Sequence, residues 1–331
     1  MAHRLDSALA RPSCHGITLA FACVVLLAPS ARLAKVTPAD AQPAQLSLSP
    51  EARQTLDQIY SGDADGAIAT AQKIQQVQPE DPLGYLLEGE ARWWELYCGS
   101  LSVKYGMVDV WQRQKLQSDK EFLALAQKAV RLAKARLKEN DSAELHLYAG
   151  LGWALQARLY GLRSERRATA HAGVEARSEF LQALKLDPGL ADADTGLGLY
   201  NYYVDTLSAF VKIIRFFMGI PGGSKKEGIR QLTLGMNSGE LTSVDARFYL
   251  AKNLRTYDEK YEQALGVLQP LVVQYPENPV FLLLRGNLYV ELGRKESAAA
   301  DFQAAENLPI AHAACAARVH RVAETFLAAP Q

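Results

Sequence analysis

One order of residues recurs between Ala176 and Pro309, and it limits the chain to a narrow set of folds. A small residue, a large apolar one and a further small or apolar one follow each other at helical spacing, and a proline then ends the run. The order is Ala298, Phe302, Ala305 and Pro309 in one copy, Ala264, Leu268, Leu271 and Pro276 in the copy before it, and Ala176, Phe180, Ala183 and Pro188 further upstream. Four-then-three spacing puts such residues on one face of a helix, and proline cannot continue that helix. The clearest copy, Pro279 to Pro309, also carries a preceding helix with Leu282, Gly286 and Tyr289 on one face and Gly293 at its end. Gly286 lets a partner helix approach closely, and Gly293 suits the left-handed conformation that closes a helix. A helical hairpin repeated at a period near 34 residues cannot bury its apolar face alone, so the units must stack on one another.

Weaker copies lie nearer the N-terminus. Gly62, Ala67, Ala71, Ile74 and Pro79 keep the spacing, Gly89 falls where the next unit wants its glycine, and Glu121 to Asn140 reads as a second helix through Ala126, Val130 and Ala133 without the terminal proline. No alternating strand pattern stands out beyond Gln42, so the chain reads as all-α. Two stretches exceed the repeat: a first helix around Trp93 to Lys115 and another around Tyr200 to Met218. These residues together resemble the tetratricopeptide repeat (TPR) superfamily. The resemblance implies a TPR-like α-α superhelical solenoid of about six helix pairs with a C-terminal capping helix and a concave groove that holds peptides or partner proteins. The boundaries that follow are 1–41 for a signal peptide and cleavage region, 42–50 for a linker, 51–140 for degenerate helix pairs, 141–309 for TPR-like pairs, and 310–331 for a capping helix and tail. The segments GLGLYNYY, GIPGGSKKEGI, YEQAL and YPENP between Gly196 and Pro279 bear a fainter resemblance to tetratricopeptide-repeat-39-like and yeast inclusion-clearance proteins.

The first forty residues are of another kind. Arg4 and Arg11 precede an apolar run from Ile17 to Ala28, the length of a signal-peptide core rather than of a bilayer span. Ala39-Asp40-Ala41 before Gln42 suits cleavage, with Ala28-Pro29-Ser30 as a nearer candidate and an uncleaved anchor as the alternative. Export to the periplasm or cell envelope of a bacterium is the resulting expectation. Cys14 and Cys23 leave with such a signal. Cys98 and Cys315 remain, and since each unit of a solenoid touches only its neighbours, they are expected to be two separate buried thiols.

Hydrophobic residues make up 49% of the 331, enough to bury a core, and 36 basic residues balance 36 acidic ones. Without a basic excess there is nothing to draw the chain onto nucleic acid. Candidate chemistry is sparse. Gly219-Ile-Pro-Gly-Gly-Ser-Lys-Lys lacks the glycine before the lysine and the hydroxyl after it that a phosphate loop needs, whereas Ser224 and Glu227 have capping-box spacing. His312, Cys315 and His320 cannot converge on a metal from one straight helix, and His146 and His171 have no recognisable partner. No HExxH, paired CxxC or GxSxG occurs, so no catalysis, cofactor or metal is expected.

A scaffold without catalysis, holding a protein or peptide ligand, is therefore the leading expectation. Asn201, Tyr202, Tyr203, Arg247, Lys252 and Arg255 are its candidate partner-binding residues: aromatic rings supply contact area, and the basic groups could receive an acidic segment or a terminal carboxylate. Trp93, Trp94 and Tyr97 fit inter-repeat packing better. The apolar run from Phe210 to Ile220, edged by Lys212 and Arg215, supports the alternative of a membrane-surface-associated envelope component, as would a retained N-terminal anchor.

Overall fold

The computed structural model describes residues 46–208, 212 and 219–328. These belong to the compact unit that begins at Ala41. The signal-peptide reading of 1–41 and most of the Phe210 to Ile220 run lie outside the described residues.

Among the described residues the chain forms thirteen helices and one two-stranded hairpin. In order these are α1 (Pro50–Ser61), α2 (Ala64–Val77), α3 (Pro82–Cys98), β1 (Leu101–Lys104), β2 (Met107–Val110), α4 (Ser118–Arg136), α5 (Ala143–Leu162), α6 (Arg166–Leu186), α7 (Ala191–Thr206), α8 (Lys225–Ser238), α9 (Ser243–Asp258), α10 (Tyr261–Gln274), α11 (Pro279–Glu291), α12 (Lys295–Glu306) and α13 (Ala313–Leu327). Each helix from α1 to α12 packs on the next, and α13 packs on α12.

The repeated residues explain this packing. Phe180 on α6 lies against both Gly150 on α5 and Gly196 on α7, and a Cβ at Gly150 would stand 2.5 Å from the ring. One large side chain thus needs two bare backbones, one in its own pair and one in the next. Phe302 on α12 repeats the arrangement against Gly286 and stacks on Phe326 of α13, with ring centroids 4.5 Å apart. That stack covers the last apolar face. Ser49-Pro50, Asp81-Pro82 and Asn278-Pro279 open α1, α3 and α11 alike: the first side chain accepts from a backbone N–H and proline takes a position whose N–H would have no partner. Gly62 and Gly293 sit in the left-handed conformation past α1 and α11, and Ser224 caps α8 through the Glu227 N–H.

Three sequence expectations are corrected. The helix expected around Trp93 to Lys115 stops at Cys98 and gives way to the hairpin, in register Leu101↔Val110 to Lys104↔Met107. Tyr105 and Gly106 both have positive φ, 51° and 76°, as a two-residue type I′ turn requires. The helix expected around Tyr200 to Met218 ends at Thr206, after which Leu207 is extended. Cys98 and Cys315 are joined in a disulfide, with Cα atoms 4.9 Å apart across 217 residues of sequence. The two thiols meet because helices distant in sequence share one core. Trp94 on α3 packs against Phe248 on α9 and Phe281 on α11, at 4.9 Å and 5.5 Å between centroids. Asn278 donates 2.8 Å to the Tyr60 carbonyl, and α13 lies on α3 and β1.

Candidate functional site

The residues chosen from sequence fall into two groups. Tyr202 is fully buried and its hydroxyl donates to the Asp258 carboxylate (2.8 Å) and the Asn253 carbonyl (3.2 Å), so it offers nothing to a partner. Asn201 donates to Gln231 at 2.7 Å. Tyr203 is half-buried, edge-on to Tyr202 and Tyr257. Arg247 is half-buried and donates weakly to the Val267 carbonyl at 3.5 Å, and burial holds its pKa below the usual arginine value.

Lys252 and Arg255 are engaged within the chain itself. Arg255, 1% exposed, donates to the Val108 carbonyl at 2.7 Å and to Asn287 on α11 at 2.6 Å. Asn287 accepts from the Val108 N–H (3.2 Å) and donates to the Gly106 carbonyl (3.0 Å). Lys252 meets Asp109 at 3.0 Å. Burial pulls the Lys252 ammonium down, yet Asp109, Tyr97 and Tyr203 outweigh it and hold the pKa well above the usual lysine value. Val103↔Val108 is a pair whose Val108 amide and carbonyl point away from β1, so Asn287 and Arg255 occupy the free edge of β2. On the far side, Trp111 N–H donates to the Ser100 carbonyl, and Arg163 grips Asp119 through two bonds and the Gln112 carbonyl at 2.6 Å. The hairpin is thereby fixed at both ends.

A cleft remains open where α1, α3, α5 and the start of α9 converge. Its walls are leucines from each: Leu56 on α1, Leu83, Leu86 and Leu87 on α3, Leu151 and Leu155 on α5, and Leu241 just before α9. Asp192 at the head of α7 shapes the last wall, accepting from the N–H groups of Glu240, Leu241 and Thr242 and from the Thr242 hydroxyl. Glu90, Arg158 and Asp245 form the floor. Arg158 donates to both Glu90 oxygens (2.7 and 2.9 Å) and to Asp245 Oδ2 at 2.8 Å. Its guanidinium lies beside the rings of Trp93 and Tyr249, and the Trp93 indole N–H donates 3.1 Å to the Tyr249 hydroxyl. Two carboxylates share this one buried cation. Burial, and after it the Asp245 charge against the opposing pull of Arg158, raises the Glu90 pKa to about 8. Asp245 Oδ1, Arg158 Nε and the Tyr60 hydroxyl have no hydrogen-bond partner.

Glu90, Arg158, Asp245 and Asn287 belong to no motif and are not among the residues singled out from sequence. For Arg158 and Glu90 the signal is a charge at a position that the apolar stripe marks as buried: Arg158 continues Leu151 and Leu155, and Glu90 continues Leu83 and Leu87.

The remaining clusters are less apt. A larger hollow of about 240 Å³ adjoins the disulfide, lined by Asp63, Glu95, Glu277, His312 and the segments that lead into α2, α11 and α13. His312 bonds Glu95 at 2.7 Å. His320 stands between Glu306 (3.0 Å from Nδ1) and Glu324 (3.2 Å from Nε2); one donor atom from each of the three lies within 4.8 Å of the others, but His320 and Glu324 are exposed, as acidic groups at a solvated surface commonly are. His146, without a recognisable partner in the sequence, likewise bridges Glu179 and Asp141. No protein-family model matches the chain, and no curated protein matches it. The fold and cleft therefore define an all-helical protein and no further class.

Proposed function

We propose that this is an exported, TPR-like solenoid that binds a segment of a partner protein on the inner face of its helix pairs and catalyses nothing. The observation that carries the reading is the leucine cleft. It is built from the first helices of three pairs, α1, α3 and α5, and from the start of α9, and Leu56, Leu83 and Leu151 remain partly exposed at its mouth. Apolar side chains around a few fixed polar groups are what recognition of a short segment needs. Twelve helices packed each on the next, with glycines facing phenylalanines from α5 and α7 to α6 and from α11 to α12, support the solenoid. The disulfide supports export, since such bonds persist in oxidising compartments. Among the described residues no helix is long and apolar enough to cross a membrane.

The test is affinity capture from the cell envelope fraction with the chain starting at Gln42. A specific partner is expected across a range of salt concentrations, and Leu151→Lys should abolish its capture. Failure to capture any protein, or capture indifferent to Leu151→Lys, would overturn the reading.

A further inference from the structure

The chain carries 36 basic and 36 acidic residues, yet one edge of the fold has a surplus of cations. It runs from the hairpin through the segment between β2 and α4 to the turn that joins α5 to α6. Lys104, Arg113, Lys115, Lys120, Arg166 and Arg167 lie along it, and all but the half-buried Lys104 are exposed. Contacts tie these stretches together. Arg163, just past α5, holds the Gln112 carbonyl and the Asp119 carboxylate, and Lys115 reaches Glu165 at 3.0 Å, beside Arg166. Among the described residues Glu165 is the one carboxylate within 4 Å of any of the six. The acids nearest in sequence are engaged elsewhere: Asp109 with Lys252, Asp119 with Arg163, and Glu121 with Arg92. Lys120, Arg166 and Arg167 also stand in the first turns of α4 and α6, where the helix dipole disfavours a cation, so fold stability does not account for them.

Two aromatic rings share this edge. Tyr105, at the hairpin turn, is 87% exposed, and Trp111 is 46% exposed. A Cβ at Gly106 would meet nothing within 4 Å, so the outer side of the turn is open. Lys104 pairs with Met107, and alternation along β2 brings Trp111 to the same face of the hairpin as both. There the Lys104 ammonium lies 3.3 Å from the centroid of the indole, and the Arg113 guanidinium lies 4.4 Å from it. An exposed tryptophan thus carries two cations against its ring, and ring and charges must meet a partner together.

We propose that this edge docks the protein onto an anionic phospholipid surface, the six cations lying at the headgroup phosphates and Trp111 and Tyr105 entering the interface. The site is separate from the leucine cleft and does not depend on a segment bound there. An acidic peptide is recognised in a groove that fixes its backbone, whereas these cations are spread over an open turn, a loop and two helix starts. A bilayer presents many equivalent charges across a plane, which suits cations distributed in this way, and its headgroup layer is where tryptophan and tyrosine rings settle.

The experiment is sedimentation of the chain starting at Gln42 with vesicles of phosphatidylcholine alone and of phosphatidylcholine with phosphatidylglycerol. Omitting the apolar run from Ile17 to Ala28 removes a segment that would enter vesicles by itself. The protein is expected to sediment with the anionic vesicles and not with the neutral ones, and to be released as sodium chloride rises from about 0.05 M to about 0.5 M. Binding should shift the tryptophan emission to the blue, and Trp111→Phe should remove the shift while most of the sedimentation remains. Arg113→Gln combined with Arg167→Gln should weaken binding about twentyfold, near fivefold for each cation, with the far-ultraviolet circular dichroism unchanged. Sedimentation with neither vesicle, equal sedimentation with both, or anionic binding indifferent to the double substitution overturns the site. Polyglutamate or a DNA oligonucleotide bound as tightly as the vesicles at equal charge concentration overturns the lipid assignment. The vesicle and salt comparisons use the unsubstituted protein, so they hold whether or not a variant folds.

Discussion

Cutting the Cys98–Cys315 bond should destabilise the protein more than almost any single core substitution. The bond closes a loop of 217 residues. In the chain-entropy view it removes on the order of 18 cal/mol/K from the unfolded ensemble, about 5 kcal/mol at 25 °C, at the upper end of what disulfides deliver. Unfolding entropy near 2.1 cal/mol/K per residue, over a folded part of roughly 280 residues, is about 0.6 kcal/mol/K, so the loss corresponds to a fall in Tm of roughly 8 °C. The double substitution Cys98→Ala, Cys315→Ala isolates the effect, because it leaves no free thiol beside Glu95 and His312. Differential scanning calorimetry of the variant, and of wild type with and without reductant, reads the shift. Peptide mapping without reduction should recover the Cys98 and Cys315 peptides as one species. Alkylation of both thiols in the native, unreduced protein would refute the shared core from which the bond follows. A Tm indifferent to both reductant and substitution would refute the energetic reasoning.

Arg158→Met leaves the buried Asp245 carboxylate without its cation, and denaturant unfolding should show a loss of about 3–5 kcal/mol. Glu90 carries the protein's clearest pH dependence. Its pKa rises from the unfolded carboxylate value of about 4.3 to about 8 on folding, so the stability it contributes is complete below pH 4 and is lost as pH climbs to 8. Urea midpoints should fall over that window by an amount equivalent to several kcal/mol, and Glu90→Gln should flatten the profile. Asn287→Ala removes two hydrogen bonds to the hairpin and one from Arg255. It should cost about 2–3 kcal/mol and release hydrogen-exchange protection at Val108 before that of the helices.

The helices could be read from the sequence because their information is local. Phe180, Leu268 and Phe302 recur at fixed distances from small residues and prolines, and Ala298, Phe302 and Ala305 are buried as their spacing requires. The hairpin is a weaker signal: Leu101-Ser-Val-Lys and Met107-Val-Asp-Val flank Tyr-Gly, a turn pair that carries strand meaning only once both sides are taken together. The disulfide was not legible, since it depends on α13 returning to α3, and the expectation that units touch only their neighbours argued against it. The same holds for Lys252 and Arg255. Only the fold shows that Lys252 is taken by Asp109 and Arg255 by the Val108 carbonyl and Asn287. The floor of the cleft joins residues from α3, α5 and α9 that share no sequence neighbourhood, so no spacing rule could assemble it.

Whether the cleft holds a partner in the living cell can be asked by site-specific photocrosslinking. A photoreactive residue placed at Leu151, at the mouth of the cleft, is compared with one at Val273, which is 70% exposed on α10. Binding at the cleft should give a discrete adduct with one envelope protein from position 151 and none from position 273. Adducts of the same kind from both positions, or from neither, would contradict it.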